Sequence, residues 1–201
     1  MSIAKAVRAH IRKLPKGKPF TTSCFTAYGP RSAVDRALSR IVKGGEIERL
    51  SRGVFIRPKQ NRFVGTVYPG VAEVVSTIAA ANGETIQVHG AEAARRFGLS
   101  TQMPVMPVYH TSASSRSIHI ANITVKLIHT SNRRRLQFAG EASGLALAAL
   151  WYLGKDNVTP STVTAIRTAL SKEEFEKLRT ADVPAWMAVA LNTANEDSVH
   201  A

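Results

Sequence analysis

Residues 31–56 read RSAVDRALSRIVKGGEIERLSRGVFI, and their patterning decides the architecture of the first third of the chain. Ala33, Val34, Ala37, Leu38 and Ile41 recur at helical spacing and mark one buried face. Ser32 is the expected N-cap, and Gly44-Gly45 ends the helix because glycine tolerates the backbone of a C-terminal break. Residues 46–50 then alternate like a strand, Ser51-Arg52-Gly53 forms a turn, and residues 54–57 return as a second strand. A helix that runs directly into a hairpin with a basic tip is the pattern of a recognition helix and its wing.

Upstream, Ile3, Ala4, Val7, Ile11 and Leu14 keep helical spacing, with Lys5, Arg8, Arg12 and Lys13 between them, until Pro15 and Gly17 stop the run. Pro19-Phe20-Thr21-Thr22 leads into a short helix over residues 23–28, with Thr22 as its N-cap and Gly29-Pro30 as its end. Three helices and a hairpin predict a winged helix-turn-helix over residues 1–66.

Charge follows the same boundary. The chain has 201 residues and a net charge of +13. Residues 1–66 hold 15 Lys and Arg against three acids, a net +12; residues 67–201 hold 12 against 11. One sign concentrated on one module is the footprint of a polyanion-binding surface. The outward face of the third helix offers Arg31, Ser32, Asp35, Arg36, Ser39, Arg40 and Lys43. Arg36 and Arg40 are placed to read base edges, since arginine bonds guanine bidentately in the major groove. Arg31, Ser32, Ser39 and Lys43 complete that face, and Arg49 and Arg52 put cations on the wing for phosphate or minor-groove contact. The expected partner is double-stranded DNA.

Residues 67–201 predict a larger mixed α+β domain: helix 71–81, strand 85–88, helix 90–97, strands 105–110, 117–120 and 123–129, then helices 141–153, 161–170, 172–180 and 184–195, with 195–201 frayed. Residues 58–68 read as a connection. The hydrophobic fraction of 44% suffices for packed cores, and the longest apolar run, 145–153, is far short of a bilayer span. Residues 1–14 have no uninterrupted apolar stretch of the secretory kind. The single Cys24 forms no internal disulfide; it fits a reducing cytoplasm and is expected as a small buried residue.

Catalytic patterns are missing. His89, His110, His119 and His129, spaced by 21, 9 and 10 residues, match no compact metal-ligand motif. There is no nucleophile elbow, P-loop or dinucleotide fingerprint, so no metal, cofactor or enzymatic activity is expected. Arg133, Arg134 and Arg135 are the one strong local signal, a basic loop able to meet nucleic acid or an acidic partner, or simply to be solvated.

Three stretches carry a family resemblance: the basic module ending in Leu50-Ser51-Arg52-Gly53-Val54-Phe55, the run GAEAARRFGLSTQMP at 90–104, and the strand Val108-Tyr109-His110-Thr111-Ser112 with its successor strands. Over roughly residues 1–150 the chain resembles the AbiEi-type antitoxins of bacterial type IV toxin–antitoxin and abortive-infection systems or, more narrowly, a related group of uncharacterised winged-helix proteins. The resemblance implies a first domain that binds inverted repeats upstream of its own operon and a second that acts against a nucleotidyltransferase-like toxin. It also implies DNA-facing positions for Arg31, Arg36, Arg40, Arg49 and Arg52. The expectation is thus a cytoplasmic, autorepressing transcriptional regulator. The alternatives are a plain winged-helix regulator whose second domain senses a ligand or partner, and an RNA-associated protein acting through Arg133–Arg135.

Overall fold

Ser2 caps the first helix by accepting from the Lys5 amide, and α1 runs over Ile3–Lys13 with Val7 and Ile11 buried. These features come from a computed structural model that describes residues 2–193. Residues 194–195, the end of the expected final helix, and the expected frayed end lie outside them.

The chain is α+β and divides into two compact units, Met1–Gly83 with His119–Ile123, and Glu84–Ile118 with Thr124–Ala201. In the first, β1 (Pro19–Thr21) is followed by a 3-10 helix at Thr22–Tyr28, α2 (Arg31–Lys43), β2 (Glu48–Ser51) and β3 (Val54–Ile56). The three strands form one antiparallel sheet in the order β1-β3-β2. Its core gathers Val7 and Ile11 of α1, Phe20, Phe25, Val34, Leu38, Ile41, Ile47 and Phe55. Phe20 faces Phe55 across the β1–β3 register, their rings stacked at 6.0 Å. Each such fully buried large side chain contributes about 1.5–3 kcal/mol.

Several local expectations are corrected here. Pro19–Thr21 is a strand, not a lead-in, because it pairs with β3. The short second helix is 3-10, starting at Thr22, so Thr22 is its first residue and not its cap. With three residues per turn, Thr22 and Phe25 share the inward row and Cys24 turns outward; the thiol is exposed, not buried. Ser32 is not the cap of α2, since Pro30 holds that position and its carbonyl accepts from Ala33 and Val34. Residues 58–68 are not a plain connection but a hairpin, β4 (Lys59–Asn61) with β5 (Gly65–Val67). Finally, α3 (Val71–Asn82) groups with the first unit, past the expected boundary at 66. It packs on β1, and Glu73 bonds Lys18 at 2.9 Å.

The second unit holds β6 (Ile86–Val88), α4 (Gly90–Arg96), β7 (Val108–Thr111), and β8 (Arg116–Ile120) and β9 (Ile123–His129) apart from His119–Ile120 and Ile123; the four strands form a sheet of order β6-β7-β9-β8. Here β6 and β7 are antiparallel, whereas β7 and β9 are parallel. After a 3-10 turn at Arg133–Leu136 come α5 (Ala142–Leu153), α6 (Pro160–Ala169), α7 (Lys172–Arg179) and α8 (Ala185–Thr193). Helix α5 is central, with residues 146–150 buried, and it packs on α4 and α7. The Thr159–Thr162 capping box starts α6, and Ser171 caps α7. Among the described residues no helix is long and apolar enough to cross a membrane.

Candidate functional site

On α2 the buried stripe Val34, Ala37, Leu38 and Ile41 forces the polar positions outward. Arg31, Ser32, Arg36, Arg40 and Lys43 are exposed, and Ser39 is half-buried. Arg36 Nε donates to the Ser32 carbonyl at 3.1 Å, which holds its side chain along the helix. Arg31 stands 3.6 Å from Asp35, both largely exposed, so water screens the pair. Arg40, Lys43 and Arg52 make no ion pair among the described residues.

Gly53 gives the β2–β3 turn its left-handed residue, with φ +74°, and leaves Arg52 at the exposed tip. Arg49 is different. It sits opposite Phe55 in the register, and its guanidinium lies 5.3 Å from that ring's centroid. Arg31 and Arg52 come together at a groove of about 210 Å³, lined also by Thr21, Thr22, Ser23 and Gly53. The β1–β3 pairing brings the hydroxyls there, and nothing in their local sequence marks them.

Nor does the sequence mark the β4–β5 hairpin as a site. Its tip exposes Phe63 and Val64, and Arg62 lies over the Phe63 ring at 4.9 Å.

In the second unit the arginine run does not act as three free cations. Asn132 accepts from the Arg134 amide and shapes a 3-10 turn. Arg133 is exposed, Arg134 bonds Asp182 at 2.8 Å, and Arg135 stacks over Trp151 at 5.1 Å. The histidines separate as well. His129 contacts the Ala113 carbonyl at 2.9 Å and is exposed, while His89 and His110 face each other with ring centroids 5.2 Å apart. The β6–β7 pairing causes this: Gln87 registers with His110 and Val88 with Tyr109, next to His89. His89 Nδ1 accepts from Ala91 N at 3.3 Å and caps α4.

The two rings line a cavity of about 30 Å³ with Gly90, Arg135, Ala148, Trp151 and Tyr152. Burial pushes both imidazoles below the ordinary histidine value, and Arg135 adds to the shift; His89 also lowers His110. His110 Nδ1 and Trp151 Nε1 are buried without a hydrogen-bond partner. Among the described residues, no group of three or more His, Cys, Asp or Glu could hold a metal ion.

No curated protein matches the chain in sequence. Residues 6–178, nearly the whole of both units, match the family of unknown function DUF6088, and the chain belongs to that family.

Proposed function

We propose that α1, the 3-10 turn, α2 and the β2–β3 hairpin form a winged helix that binds duplex DNA, and that the protein is a non-enzymatic transcriptional regulator of the cytoplasm. One observation carries this reading. The exposed face of α2 and the hairpin tip present Arg36, Arg40, Lys43 and Arg52 with no acid neutralising them, in a segment of net charge +12. Arg36 and Arg40 sit one turn apart on α2, a spacing suited to adjacent base pairs, and Arg52 is positioned for phosphate. The second unit is then the part that receives a signal. The resemblance to AbiEi-type antitoxins supports a toxin partner as that signal, with autorepression of the operon. The cavity at His89 and His110 favours a regulator that senses a small ligand.

The test uses the full chain. Duplexes selected from a random library should converge on one sequence. Contact with ~6 phosphates gives a slope of log K against log salt near −5. A slope near zero, or no enrichment of any sequence, would overturn the proposal.

A further inference from the structure

We propose that the cavity framed by His89, His110, Arg135 and Trp151 binds the phosphate group of a small ligand. This goes beyond the DNA-binding reading and does not rest on it, since every residue involved lies in the second unit.

Three observations converge. First, the lining gathers two imidazoles and a guanidinium with no carboxylate among them. Arg135 is held there by the Trp151 ring and has no ion pair among the described residues. The nearest acid on α4, Glu92, is already taken by Arg95 and Arg96 at 2.7 and 2.9 Å. Such a lining is complementary to an anion. Second, two nitrogens of the lining, His110 Nδ1 and Trp151 Nε1, are buried without partners. Each is able to donate to an oxygen, and a buried donor left unmade is costly. Third, a cavity of about 30 Å³ has room for a water-sized group, such as a leading oxygen of a phosphate. Tyr152, 41% exposed at the rim, leaves the rest of a ligand in solvent.

Burial holds both histidines below the ordinary imidazole value, and the Arg135 charge lowers them further. Besides Arg135, the titratable side chain set against the pair among the described residues is Tyr152 on α5, its ring 5.9 Å from that of His89. A bound phosphate reverses the field. It should draw a proton onto the pair, and its oxygens should accept from His110, Trp151 and Arg135.

The experiment follows the histidine Cε1–H resonances of the full chain by NMR during titration with inorganic phosphate, a nucleoside monophosphate, and acetate. Phosphate should shift the His89 and His110 signals saturably and raise their apparent pKa. Arg135→Gln should weaken binding about 10-fold or more, while Lys126→Gln, an exposed change on β9, leaves it unchanged. Tighter binding of the nucleotide names a phosphomonoester as the ligand, and equal binding names free phosphate; either supports the site. The proposal fails if neither histidine responds, if acetate acts as strongly as phosphate, or if folded Arg135→Gln binds like the parent. Specific DNA binding of Arg135→Gln, measured alongside, separates a failure here from a failure of the winged helix.

Discussion

Gly90→Ala should destabilise the second unit, although alanine is the better helix former. In α4, Gly90 is the first helical residue, and a Cβ built there would lie 2.2 Å from Tyr152 Cβ and 2.5 Å from the Ala148 carbonyl oxygen of α5. Carbon atoms pack best at about 3.5–4 Å, so α4 and α5 must part by roughly 1.3 Å or more. The seam that opens is made of Ala93, Ala94, Ala148 and Ala149, all buried. Small side chains offer no slack to absorb it. Overpacking of this kind costs about 1–3 kcal/mol, and the gain from replacing helical glycine by alanine is at most ~1 kcal/mol. With the clash this close, we expect a cost at the upper end of that range, about 3 kcal/mol, and so a net loss of about 2 kcal/mol. Both tryptophans, Trp151 and Trp186, belong to the second unit, so their fluorescence follows its unfolding in urea. The midpoint should fall by about 1 M, given slopes of about 1–3 kcal/mol/M. A variant that unfolds at the same or higher urea would refute the close approach of α4 and α5.

Arg36→Ala and Arg40→Ala should each cost ~1–3 kcal/mol on the selected duplex with little loss on random DNA. Arg52→Ala should weaken both alike, as a phosphate contact does; fluorescence anisotropy at fixed salt distinguishes the two patterns. Hydrogen bonds from Arg95, then from Arg96, hold the Glu92 carboxyl at about 2, below its ordinary 4.5. A depressed carboxylate pKa stabilises the fold above about pH 4.5 and loses that effect as the pH falls towards 2. Glu92→Gln should therefore lower Tm at pH 6 and match the parent near pH 2. The difference should stay under ~1 kcal/mol because both arginines are substantially exposed. A constant difference across that range would contradict the assignment. Cys24 should react with iodoacetamide in the native protein without loss of circular dichroism, and a thiol that reacts only in urea would return it to the core.

The expected beginning and end of α2 lie within a residue or two of those observed, because its stripe of Val34, Ala37, Leu38 and Ile41 and the Gly44-Gly45 stop are local signals. The same holds for the β2–β3 turn, where Arg52-Gly53 marks both the reversal and the exposed cation. The strands at 19–21, 59–61 and 65–67 carried no such signal. Pro19–Thr21 became a strand only through β3, and 59–67 a hairpin only through its own pairing. A helix type is equally non-local: the 3-10 winding at Thr22–Tyr28, not composition, turned Cys24 outward.

Composition and spacing by themselves determined where the charge lies, which face of each amphipathic helix is buried, and that the chain is α+β. These are sums and periods along the chain, and hydrophobic burial tracks them directly. Only the tertiary structure decided that Arg133, Arg134 and Arg135 part ways, one exposed, one paired with Asp182 and one laid on Trp151. It also decided that His89 and His110, 21 residues apart, stand face to face. The reason is that a cavity is defined by distances between elements. Strand register and the close approach of two helices at a glycine set those distances, and no window of sequence contains both sides of such a contact.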